Sequence, residues 1–268
     1  MNKKSKSTLE KLEKKLRFRN YSEQTIKTYL SYSEKFLISF NKDVYHISVK
    51  EAENYLESYP YTSISQQNQI ISSVKFLYIN VVGRKLNTLN IVRPRKEKKL
   101  PKIIDAELLA EKINKINNLK HKAILSLGLS CGLRISEVIN LKWEHLDRKR
   151  NTLTVINGKG RKDRTTILND NMIDLLTEYW KQYKPKDYVF NGQFKNKYSQ
   201  SSIQRIVKKH IHQKASFHFL RHSFATYALD NGTELAPLSK SMGHQNTKTT
   251  EIYYHVSNNS LKTIRQAI

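Results

Sequence analysis

Cysteine is nearly absent from this 268-residue chain: Cys131 stands alone, beside eight glycines and five prolines. One cysteine excludes a disulfide framework and any zinc site built on cysteines. So little glycine and proline excludes a low-complexity or linker-rich chain. No apolar run approaches the roughly 20 residues that a membrane span needs. The lysine-rich start lacks the apolar stretch of a signal peptide. These absences predict a soluble, intracellular protein with no membrane partner. Acid is also scarce, with 23 Asp and Glu against 48 Lys and Arg, a formal net charge of +25. The excess is +11 in residues 1–100 and +14 in 101–268, so it is not a basic tail on a neutral globule. A surplus on both halves points to a polyanion. Nucleic acid is the usual one, since each phosphate contact releases condensed counterions. A basic or ribosome-associated protein with no specific partner would share this composition.

The length suits two domains. The first 91 residues read as helices. Leu9, Leu12 and Leu16 make an apolar stripe, and Ser22 caps a helix carrying Ile26, Leu30, Phe36, Leu37 and Phe40 on one face. Ser48 and Glu51 have capping-box spacing and start a third helix, which reaches Leu56. A fourth is predicted from about Thr62, burying Ile70, Val74, Leu77 and Val81. Residues 92–102 hold two prolines and six basic residues with almost nothing to bury, and read as a linker. The second domain is predicted to span 103–268. Asp105 caps a helix with Leu108, Leu109, Ile113 and Ile116. An apolar helix covers 121–130, and another opens at Arg134 and ends near Trp143. Residues 152–155 alternate as a strand, Asn157 to Gly160 is a turn, and Thr165 to Leu168 is the return strand. Helices dominate from Asp170 onward. The expected class is mainly α with a small antiparallel β-sheet.

Several residues of the second half suit phosphate chemistry. Arg134 follows a glycine turn, Lys159 sits at a hairpin tip, and His218 and Arg221 share a helix face. His244 follows Gly243, and Tyr253 lies nine residues later. Each alone has an ordinary reading as a surface or packing residue. His218 and His222, four apart, have the spacing of a metal pair, but no glutamate or cysteine completes one. Among 15 tyrosines, composition cannot separate Tyr253 from Tyr254.

Together the motifs say more. CGLRISEV (131–138), GKGRKDR (158–164), HFLRH (218–222) and GHQNTKTTEIYYH (243–255) occur in that order. In this the chain resembles the tyrosine site-specific recombinases, the phage integrase family, and most of all its short Xer-like members. The resemblance implies a helical core-binding domain ahead of a mixed α/β catalytic domain. It implies Tyr253 as the nucleophile and Arg134 and Arg221 as a phosphate clamp. Lys159 matches the hairpin lysine that serves as general acid, and His218 a group that orients or deprotonates Tyr253 or bonds the phosphate. His244 matches a donor to a phosphate oxygen, and Glu137 an acidic support.

The implied reaction cuts and rejoins DNA through a 3′-phosphotyrosine link and a Holliday junction, without metal, ATP or other cofactor. A phenol with a pKa of about 10 leaves more readily than a sugar hydroxyl, so the covalent link retains the energy needed for resealing. The implied partners are a double-stranded recombination site, further copies of the chain in a tetramer, and accessory recombination proteins. The implied location is the cytoplasm, at the bacterial nucleoid. Leu261, Ile264 and Ile268 can form one face of a tail helix that docks on a neighbouring protomer. The alternatives are a type IB topoisomerase-like enzyme and a catalytically inactive DNA-binding protein. The motifs do not distinguish integration, excision, inversion and dimer resolution, and the target sequence is not legible.

Overall fold

The computed structural model describes residues 3–40, 42–84, 91–95, 103–156, 163–193, 195–244 and 246–254. The chain divides into two compact units, Met1–Lys98 and Lys99–Ile268. The tail at 260–268, Lys159 and most of the expected linker lie outside the described residues.

The first unit is built on α1 (Lys3–Phe18), α2 (Glu23–Ser39), α3 (Val49–Ser58) and α4 (Ile64–Leu77). Side chains satisfy the N–H groups that helix starts leave open. Ser22 accepts from the Thr25 N–H, and Ser48 and Glu51 form the full reciprocal capping box. The cap of α4 is Ser63, one residue past the predicted start, because Thr62 instead donates to the Gln66 side chain. Leu12, Leu16, Ile26, Phe36, Leu37, Leu56, Ile70, Val74 and Leu77 form one buried core. Leu9, Leu30, Phe40 and Val81, predicted to join it, lie partly buried at its edge.

In the second unit, α5 (Ala106–Asn114) and α6 (Leu119–Ser130) are followed by the short α7 (Ile135–Ile139). Asp105 caps α5 by accepting from the Glu107 and Leu108 N–H groups. Leu109 and Ile113 take its core face, whereas Leu108 is 46% exposed. One residue is a turn of about 100° on a helix, enough to leave the apolar stripe. Helix α7 stops at Ile139 rather than near Trp143. The backbone beyond it is claimed elsewhere: the Val189 N–H donates to the Leu141 carbonyl, and Lys142 pairs with Tyr188.

A three-stranded antiparallel sheet follows in the order β1 (Leu146–Asp147), β2 (Thr152–Val155), β3 (Arg164–Ile167). Strand β2 matches the predicted span, and Leu153 and Val155 point into the core. Strand β3 starts one residue earlier than predicted, with Val155 opposite Arg164. Two-residue β1 is too short to show alternation in sequence. The chain continues through α8 (Asp170–Tyr183), α9 (Gln200–His210), α10 (Phe217–Asp230), α11 (Leu235–Met242) and α12 (Lys248–Tyr254). Apolar α6 packs against α5, α8 and α10 and forms the centre of the unit. Among the described residues, no helix is long and apolar enough to cross a membrane.

Candidate active site

The site begins where α6 ends. Gly132 adopts φ +61, and a Cβ there would stand 2.5 Å from the Phe224 ring. Only glycine fits both the backbone and the space. The turn delivers Arg134 to the N-terminus of α7, where Glu137 reaches back to accept from the Arg134 N–H at 2.7 Å. Glu137 Oε1 also accepts from Arg134 Nη1 at 2.8 Å. Arg164, entering from β3, donates through both terminal nitrogens to the two oxygens of Glu137, at 2.8 Å each. Its Nε donates to the Ser241 carbonyl. Burial raises the Glu137 pKa, but the bonds and charge of Arg164, then those of Arg134, outweigh it and hold the carboxyl below its ordinary value.

Arg221 rises from the second turn of α10 and is 2% exposed. It donates to the carbonyls of Gly132 and Met242, and Arg134 donates to that of Gly243. These carbonyls stand at and just beyond the ends of α6 and α11, where the helix dipole is negative. Gly243 has φ +65, and a Cβ there would meet Arg164 Cδ at 2.5 Å. Arg221 Nη2 also lies 3.0 Å from His244 Nε2. Arginine carries donors only, so this histidine nitrogen accepts. The proton of His244 is then on Nδ1, shared with Thr250 Oγ1 at 2.8 Å. Three guanidinium groups thus meet one carboxylate, an excess of positive charge in a partly dry site. Burial, followed by repulsion from Arg134, lowers the Arg221 pKa to about 9. An anion placed here would be held by charge-assisted bonds.

Tyr253 on α12 is 3% exposed, against 47% for Tyr254. Its ring lies against Phe224, Ala225, Leu238 and Met242 and stacks on His244 at 6.5 Å and 14°. The hydroxyl bonds to His222 Nδ1 at 2.8 Å. Burial raises the phenol pKa, against the pull of Arg221 and Arg134.

The structure therefore brings Arg134, Glu137, Arg221, His244 and Tyr253 together. His218 is exposed, with its ring 6.0 Å from that of His222. Partial loss of hydration, then Arg221 and Arg134, lower its pKa. Among the described residues the partner of the Tyr253 hydroxyl is His222, not His218. Sequence reasoning missed His222 and Arg164 as members of the site. The period of two in β3 was a usable signal for Arg164, since it shares a face with buried Thr166.

Comparisons with known proteins identify the family. Residues 97–260 match the phage integrase family, and residues 8–88 match the phage integrase N-terminal SAM-like domain. A tyrosine recombinase of Thermosipho africanus is 32% identical over 262 residues, covering 89% of this chain and 91% of the relative. The chain belongs to the phage integrase family. Tyrosine recombinase XerA of Pyrococcus horikoshii is 30% identical over 269 residues, covering 97% of this chain and 92% of that one. A crystal structure of XerH site-specific recombinase in a pre-cleavage complex with its difH substrate superimposes with a TM-score of 0.69. It is 25% identical and covers 96% of this chain and 82% of its own. The protein is thus a Xer-like enzyme of the tyrosine recombinase class, and its reaction is site-specific recombination. The mainly α fold with a small antiparallel sheet is that of the family.

Proposed function

We propose that this recombinase cuts and rejoins duplex DNA with Tyr253 as its nucleophile. The observation that carries the assignment is the place of the phenol, buried against His244, which itself bonds Arg221. Arg134 and Arg221 clamp the scissile phosphate with planar donor forks that stay charged at working pH. They oppose the charge that grows on the non-bridging oxygens in the transition state. Glu137 holds Arg134 in place. His244 completes the phosphate pocket, and because its Nε2 accepts from Arg221, a donor role toward phosphate requires Arg221 to turn toward the DNA and Nε2 to gain a proton. Lys159, which falls between β2 and β3 in the sequence, protonates the departing 5′ oxygen. His218 lines the phosphate side of α10. Both units carry the excess positive charge that a duplex partner needs. Four such chains act on two synapsed sites, in the cytoplasm at the nucleoid, and accessory proteins can direct the outcome.

The test is covalent trapping. Nicked suicide duplexes, selected by binding from a random pool, should yield an SDS-resistant adduct with the wild-type protein. Tyr253→Phe should abolish the adduct and leave DNA binding intact, while Tyr254→Phe should trap normally. An adduct on Tyr253→Phe would overturn the assignment.

A further inference from the structure

The reaction requires a proton to leave Tyr253 as its oxygen attacks phosphorus. The neighbours of the phenol differ sharply in their ability to take it. His244 stacks nearly parallel to the tyrosine ring, so its edge does not face the hydroxyl. Both of its ring nitrogens are engaged, Nδ1 with Thr250 and Nε2 with Arg221. His218 makes its ring contact with His222 and has no hydrogen bond to the phenol. Arg134, Arg164 and Arg221 have no acceptor atoms. Glu137 is occupied on both oxygens by Arg134 and Arg164. Among the described residues His222 alone presents a ring nitrogen to the hydroxyl, at 2.8 Å, with the rings 5.4 Å apart and tilted by 46°.

Building on the assignment of Tyr253 as nucleophile, we propose that His222 accepts the phenol proton during attack and returns it on resealing. In the forward step the Tyr253 Oη–H bond breaks and the Oη–P bond forms. The bond from phosphorus to the 5′ oxygen breaks, and the phenol proton passes to His222 Nδ1. The 5′ oxygen takes a different proton, from Lys159. Resealing reverses each transfer, so neither group is consumed.

The surroundings of His222 keep its ring uncharged. The groups facing it are His218 and Arg221 on its own helix and Tyr253 on α12. Burial first, then His218 and Arg221, lower its pKa to about 4. The ring is therefore neutral near pH 7; the tautomer that serves this role carries its proton on Nε2, which leaves Nδ1 to accept from the phenol. A bound phosphate offsets the Arg221 part of that lowering, while burial, its largest cause, remains.

The test compares two substrates and two variants. His222→Asn keeps an acceptor oxygen near the position of Nδ1 but cannot take a proton at neutral pH. His222→Phe removes the acceptor. Both should bind the nicked duplex as the wild-type protein does, and both should form the covalent adduct roughly 10²-fold more slowly. Their rates should climb with pH as hydroxide replaces the lost base, while the wild-type rate stays flat. A duplex with sulfur in place of the scissile 5′ oxygen needs no proton at the leaving group. It should restore Lys159→Ala and leave both His222 variants slow. A wild-type rate for His222→Asn would reduce His222 to a structural contact and overturn the proposal. Recovery of the His222 variants on the sulfur substrate would move the residue to the leaving group and also overturn it. An adduct formed by Tyr253→Phe would instead refute the nucleophile assignment, a separate result.

Discussion

Glu137→Gln is the most informative single change in the cluster of charges. The wild-type carboxylate accepts four hydrogen bonds from two arginines, at 2.7 to 2.8 Å. The glutamine amide has nearly the same shape but turns one oxygen into a donor. It removes the only carboxylate that pairs with Arg134 and Arg164 among the described residues. Those side chains are 14% and 6% exposed, so water replaces little of what is lost. Removing one partner of a buried ion pair costs about 3–5 kcal/mol, because it leaves uncompensated charge behind. For a unit of this size, each kcal/mol lowers the midpoint by about 2–4 °C, so the second unit should melt roughly 6–20 °C earlier. Calorimetry of the full chain, with urea unfolding as a check, reads this directly. The pH dependence has a definite sign. The Glu137 pKa is lowered in the fold, so its contribution is fully present above the ordinary carboxylate value. That contribution is lost as pH falls through the lower folded value. The variant should therefore lose less stability than the wild type on acidification. Added sulfate should recover more of the midpoint in the variant, by supplying an anion to the guanidinium groups left without their carboxylate. A loss below about 1 kcal/mol, or an unchanged acid limb, would refute the reasoning that this carboxylate holds the site together.

Other perturbations address separate links. Gly132→Ala places a Cβ against Phe224 in a left-handed turn and should cost about 2–4 kcal/mol in urea unfolding. It should also slow adduct formation, because Arg134 follows two residues later. Arg164→Lys keeps the charge but loses the fork onto Glu137, and should cost roughly 2 kcal/mol. Stability equal to wild type would show that a point charge suffices there. Ser48→Ala removes the cap of α3 and should lower the stability of the first unit by about 1 kcal/mol. Its adduct rate at saturating DNA should match wild type, so a slower rate would show that the cap reaches the chemistry.

Much of this protein is legible because its signals are local. Ser22, Ser48 and Asp105 cap the helices that their side chains announce, since a cap bond spans two or three residues. Leu153 and Val155 reveal β2 by strict alternation. The order of the four motifs revealed the family, and the charge of both halves revealed the polyanion. Where α7 ends was not legible, because its limit is set by pairing with residues 188 and 189, far along the chain.

The same distinction runs through the site. Charge, motif order and the step from His244 to Tyr253 are properties of the chain itself. Which tyrosine is buried, which histidine meets its hydroxyl and which arginine completes the grip on Glu137 were decided only by the tertiary structure. The His222 to Tyr253 bond closes 31 residues, Arg164 to Glu137 closes 27, and Arg134 to the Gly243 carbonyl closes 109. No helical or strand period extends over such separations. Only the packing of α10 and α12 around α11, with β3 alongside, sets those distances.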